Sequence, residues 1–108
     1  MTFSNPHKSE KLSSLLEHMA AEFIQRENPT SALITVTGSK LSDSKRNIDI
    51  LISVLPETEE KKALEALGRL KKGLSQYIET HAKIGRMPSV DFKIDLGEKN
   101  RQRIEDII

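Results

Sequence analysis

Apolar side chains recur on two different periods along this chain. Leu12, Leu15, Leu16, Met19, Ala20, Phe23 and Ile24 are spaced by three and four, which puts all seven on one stripe of a helix. Asn5-Pro6 offers a cap and a first-turn proline, with Ser9 as a later start. Asn28-Pro29 ends the helix, because proline disfavours helical geometry in the residue before it. The period then changes to two. Leu33-Ile34-Thr35-Val36-Thr37 is rich in β-branched residues and runs into Gly38, a candidate bend or bulge. Ile48, Ile50, Ile52 and Val54 alternate with Asp49, Leu51 and Ser53, the mark of a half-buried strand. The polar segment from Ser42 to Asn47 makes the pair an antiparallel hairpin. Leu51 interrupts its polar face.

Helical spacing returns after Pro56. Thr58-Glu59-Glu60 offers a capping hydroxyl and acids near a helix N-terminus. The stripe that follows is Leu64, Leu67, Leu70, Leu74, Tyr77 and Ile78, with Gly68 and Gly73 inside it. Gly73 has two readings: a kink or close-approach point, or a tolerated glycine in one continuous helix. Gly85 ends the helical region and Pro88 follows. Val90, Phe92 and Ile94 alternate as a third strand, and Ile104, Ile107 and Ile108 suggest a short helical turn docked on the body. The order is α-β-β-α-α-β. A single α+β domain over 1–108 satisfies every stripe, with the helices packed on one face of a three-stranded sheet. The segments 1–8 and 97–108 are expected to be flexible.

Charge changes this picture more than composition does. The net charge is only +1, but residues 61–93 carry eight Lys/Arg against three acids, +5, and the remainder carries −4. Such a segment fits an anion-binding face or a solvated lysine-rich helix surface. The apolar runs are too short to span a bilayer, and the first residues lack an export signal, so a cytoplasmic protein without membrane contact is expected. Cysteine is absent, and His7, His18 and His81 show no metal-ligand spacing. No metal, cofactor or small-molecule substrate is expected, and no nucleophile elbow or glycine-rich phosphate loop supports an enzyme. With three Phe, one Tyr and no Trp, a stacking platform of the RRM type is not expected; Phe23, Phe92 and Tyr77 read as core.

Several segments, taken in order, resemble the bacterial ribosome-binding factor A family. They are Gln25-Arg26-Glu27 with Pro29, Thr35-Val36-Thr37-Gly38 with Leu41-Ser42, and the strand from Ile50 to Leu55. The segment from Arg86 to Asp95 resembles the family's R-x-P-x-x-x-F-x-x-D run, and Arg103 to Ile108 its R-I-D-E-L-L ending. Three departures stand beside these matches. The link after the first helix is short, Ser44 stands where the family has its turn acid, with Asp43 one position early, and the long basic C-terminal extension of some members is missing.

The resemblance implies a type II KH-like fold in which a helix-kink-helix centred on A-x-G replaces the phosphate-clamping G-x-x-G loop. The corresponding triplet here is Lys71-Lys72-Gly73, with Lys71 in place of the alanine. It implies a monomeric, non-enzymatic assembly factor that binds immature 16S rRNA and the small ribosomal subunit late in maturation, often linked to growth in the cold. RNA-contact candidates on that reading are Arg69, Lys71, Lys72, Gly73, Lys83 and Arg86, with Lys45 and Arg46 as a second contact. Lysines beside exposed backbone N–H groups at a helix break suit phosphate, and Arg86 suits a bidentate phosphate contact. The competing reading of Arg86 is a salt bridge to Asp91 or Asp95, and that of Lys45 and Arg46 is solvated turn charge. The alternative function is a protein-interaction adaptor using the sheet edge or the Leu51 face; a small enzyme relying on His81 is the third.

Overall fold

The computed structural model describes residues 6–107. The elements are α1 (Pro6–Glu27), β1 (Leu33–Leu41), β2 (Asn47–Leu55), α2 (Glu60–Arg69), α3 (Lys71–His81), β3 (Ser89–Ile94) and α4 (Leu96–Ile107). The helix stripe does what its spacing implies: Leu16, Met19, Ala20, Phe23 and Ile24 are buried. Leu15, on the edge of that stripe, is 38% exposed. Helical geometry begins at Pro6 rather than Ser9. At the other end Asn28 turns the chain, its amide donating to the Ala32 carbonyl at 3.0 Å and its Oδ1 accepting from the Thr30 N–H at 2.9 Å. The link to β1 is therefore short because one side chain organises it.

The sheet order is β1-β2-β3, β1 antiparallel and β3 parallel to β2. Ile34, Ile48, Ile50, Ile52, Val54 and Val90 are buried on one face beneath α1, α2 and α3. The second face carries Thr35, Lys40, Asp49, Leu51, Ser53 and Lys93, none of them buried. The register shifts between Val36 and Gly38, so Thr37 is a bulge residue. Gly38 then pairs with Leu51, whose Cδ1 lies 3.6 Å from where a Cβ on Gly38 would sit. The apolar residue that breaks β2's polar face thus covers the space a glycine leaves across the ladder.

Three local expectations are corrected. Thr58 caps nothing: residues Glu57–Glu59 form a 3-10 turn and α2 starts at Glu60 with no side-chain cap. α3 ends at His81, not Gly85, its last turn closed by the Ala82 N–H donating to the Ile78 carbonyl at 2.9 Å. Gly85 instead turns the following loop at φ +69°, a conformation that favours glycine.

The third correction concerns the C-terminal segment, which is a 12-residue helix rather than a turn. It does not dock through Ile104, which is 59% exposed. Asp95 starts it, accepting from the Glu98 N–H at 3.0 Å and from the Thr37 hydroxyl at 2.6 Å. Lys99 reaches Glu60 at 3.0 Å, and Arg103 lies 3.7 Å from Glu57. Residues 1–5 and 108, part of the two ends expected to be flexible, lie outside the described residues.

Gly68 occupies an exposed position in α2 where an added Cβ meets nothing within 4 Å. Gly68→Ala is therefore expected to stabilise the fold by about 0.5–1 kcal/mol through helix propensity. A rise in the urea midpoint at constant slope would be the readout.

Candidate nucleic-acid interface

Two amphipathic helices with one shared stripe need not be collinear, and α2 and α3 are not. Helical geometry breaks at Leu70, at φ −93° and ψ −1°, where the Leu70 N–H donates to the Leu67 carbonyl at 3.0 Å. α3 then restarts, its first turn closed by the Leu74 N–H donating to the Leu70 carbonyl at 2.9 Å. The expected break is present, one residue before the Lys71-Lys72-Gly73 triplet rather than within it. Ala63, Leu67, Leu74 and Ile78 stay buried on both sides of the joint. Packing both half-stripes against the sheet and α1 is what the change of direction allows.

Gly73 is helical, and its role is close approach. A Cβ there would lie 3.4 Å from Phe23 Cζ of α1. That is snug van der Waals contact, to be set against the helix propensity an alanine adds. Gly73→Ala is expected to leave stability within about 1 kcal/mol of the parent. A loss above roughly 3 kcal/mol in urea unfolding would mean that α1 and α3 cannot accept the methyl.

The structure brings the candidate cations into two groups and leaves one apart. Arg69, Lys71 and Lys72 surround the joint, Arg69 and Lys72 exposed. Lys71 turns toward the sheet edge and pairs with Asp91 of β3 at 2.7 Å, both side chains about half exposed. Exposed pairs of this kind contribute little net energy, so Lys71 can exchange its carboxylate for a phosphate at small cost. The second group is Arg86 with Lys45 and Arg46. Lys45 takes φ +60° at the tip of the β1–β2 turn, and its N–H donates to the Ser42 carbonyl at 2.9 Å. The Arg46 carbonyl accepts from the Ser89 N–H at 2.8 Å, which ties this turn to the start of β3, three residues after Arg86. Ser89 and Asp91 are two residues apart on one strand, about 7 Å, so both groups border the first half of β3. Lys83 is the one set apart. It follows α3, whose length separates it from the joint by about 15 Å.

Arg86 is exposed and pairs with neither of the acids proposed for it. Asp91 is taken by Lys71, and Asp95 by Thr37 and the start of α4. The salt bridge that competed with the phosphate reading of Arg86 is thus not made, and the partner of Asp91 stands twenty residues before it in the chain. Lys93 likewise pairs with Asp49 at 3.1 Å on the outer sheet face.

An arrangement on the outer side of α1 and α3 was not anticipated. Tyr77 is half-buried rather than core, its ring centroid 5.7 Å from that of Phe23 and 4.3 Å from that of His81. Arg26 lies over the Tyr77 ring, 5.6 Å from its centroid. The Tyr77 hydroxyl donates to Glu22 at 3.2 Å, and His18, an exposed surface histidine, pairs with the same carboxylate at 2.9 Å. The i, i+4 spacing of Tyr77 and His81, and of His18, Glu22 and Arg26, was visible in the sequence. Which helix face meets which was not.

Among the described residues no buried polar or charged side chain occurs, and no three His, Cys, Asp or Glu side chains are placed to hold a metal ion. No helix there is long and apolar enough to cross a membrane.

The model of one protein family, ribosome-binding factor A, matches residues 8–108. The chain belongs to the ribosome-binding factor A family. A relative in Geotalea daltonii named for that factor is 27% identical, the match covering 94% of this chain and 85% of its own length. The crystal structure of ribosome-binding factor A from Thermus thermophilus superposes with a TM-score of 0.71 at 28% identity, covering 79% of this chain and 92% of that one. A Thermus thermophilus homology model of the factor fitted into a cryo-electron microscopy map of a 30S complex gives a TM-score of 0.66 at 28% identity, over 77% and 90% of the two chains. The α+β, KH-like fold, with helix-break-helix between the hairpin and the last strand, is thus the family's fold carried by this sequence.

Proposed function

We propose that this chain is a non-enzymatic assembly factor that binds the small ribosomal subunit by holding 16S rRNA, as a monomer in the cytoplasm, without cofactor or small-molecule substrate. Family membership supports subunit binding, since a relative of this fold has been fitted to a 30S complex. The observation that carries the RNA reading is the joint at Leu70, where Arg69, Lys71 and Lys72 meet at a helix start beside β3, with Arg86 and the Lys45-Arg46 turn near the start of the same strand. Phosphates supply most of the affinity in such a contact, and their neutralisation releases counterions. Immature subunits are the preferred partner, because rRNA segments not yet packed leave their phosphates open.

Cosedimentation with immature and mature small subunits at several salt concentrations tests this. Preferential binding to immature particles that falls steeply with salt is expected. The adaptor reading draws on one specific observation, the outer sheet face on which Leu33 and Leu55 pair across the strands, 63% and 46% exposed. It would be favoured by salt-insensitive binding that survives Lys71→Ala with Lys72→Ala.

A further inference from the structure

Lys83 lies away from the joint, and the side chains beside it suggest what it serves. His81, two residues earlier, is exposed, yet its ring is held. Its Nδ1–H donates to the Tyr77 carbonyl at 2.8 Å, since a carbonyl oxygen can only accept. Its ring packs on Tyr77 at 4.3 Å, and Tyr77 in turn packs on Phe23 of the core. The three rings make a row of tilted contacts, at 52° and 34° between planes, whose outermost member is open to solvent. Arg26 over Tyr77 and Lys83 beyond His81 add positive charge. The acids nearby are Glu22, engaged by Tyr77 and His18, and Glu79, which lines a recess with Lys83 and Gly85.

We propose that His81, backed by Tyr77 and Arg26, is a stacking platform for one unpaired base of an RNA strand, with Lys83 meeting the adjoining phosphate. The proposal rests on the RNA reading of the α2–α3 joint and extends it along α3. An RNA strand reads this surface better than a duplex does, because only an unstacked base presents a face to a protein ring. The separation of about 15 Å between joint and platform is spanned by a few nucleotides of extended strand. The match of Arg26 and Lys83 to a phosphate chain favours RNA over a protein partner.

The test uses the full chain and two fluorescent probes, an eight-nucleotide single-stranded RNA and the same backbone with abasic sites, read by anisotropy. His81→Ala is expected to weaken binding of the normal RNA about five- to tenfold, with little effect on the abasic strand. His81→Phe, which keeps an aromatic ring, should restore most of the loss, and neither variant should change the salt slope. Equal binding of normal and abasic RNA by the parent chain, or no loss in His81→Ala, or no rescue by His81→Phe, would overturn the platform. Cosedimentation of the same variants with small subunits separates the two readings. If the parent cosediments but His81→Ala matches it on both probes, the platform is wrong and the joint stands. If the parent binds neither subunits nor RNA, both fall.

Discussion

Replacing Arg69, Lys72 and Arg86 together by glutamine is expected to weaken binding to small ribosomal subunits by at least tenfold near physiological salt. All three side chains are exposed, and none stabilises the fold through an ion pair among the described residues. Glutamine keeps the stem and a polar head, so folding should change by no more than about 0.5 kcal/mol. Each lost phosphate contact removes about 0.7 to 0.9 from the slope of log affinity against log salt, so three contacts lower it by roughly two to three. Measuring affinity across a salt series separates this outcome from a merely misplaced protein, whose slope would be unchanged. Lys71 is left out of this set because its pair with Asp91 must open first, and Lys71→Gln alone should cost less than Lys72→Gln.

The second large effect is on stability. Leu74 is 0% exposed and lies in the first turn of α3, just past the joint. Leu74→Ala removes buried methyl groups where α3 meets the core, and is expected to cost about 2–5 kcal/mol. For a domain of this size that is a large part of the total. The urea midpoint should fall with the slope unchanged, and subunit binding should be retained in whatever fraction stays folded. Loss of binding in a fully folded Leu74→Ala protein would mean that joint geometry depends on this one leucine.

Short-range patterns carried most of the fold. Alternation at Ile48, Ile50, Ile52 and Val54 placed β2, and the spacing from Leu12 to Ile24 placed α1, because each pattern reports burial on one face. The helix break was foreseen at the wrong residue. Glycine marks low helix propensity, but the break falls at Leu70, where two half-stripes change direction to stay buried. Propensity is local and packing is not. The last helix was underestimated for a related reason. Its stripe is thin, and Asp95, Lys99 and Arg103 anchor it through Thr37, Glu60 and Glu57, partners 39 or more residues away. The candidate site divides the same way. Its residue types and its rough position in the chain were legible as a basic segment, whereas the Lys71–Asp91 pair and the stack of His81 on Tyr77 depend on how α3 is seated.

Proximity mapping on the subunit tests the joint most directly. The chain has no cysteine, so Lys72→Cys gives a single attachment point for a hydroxyl-radical probe, and Thr35→Cys gives a matched control on the outer sheet face. Strand cleavage of 16S rRNA from position 72, with little from position 35, is the result expected. Cleavage from position 35 and none from position 72, on particles that carry the factor, would contradict the claim that the cationic joint holds the RNA.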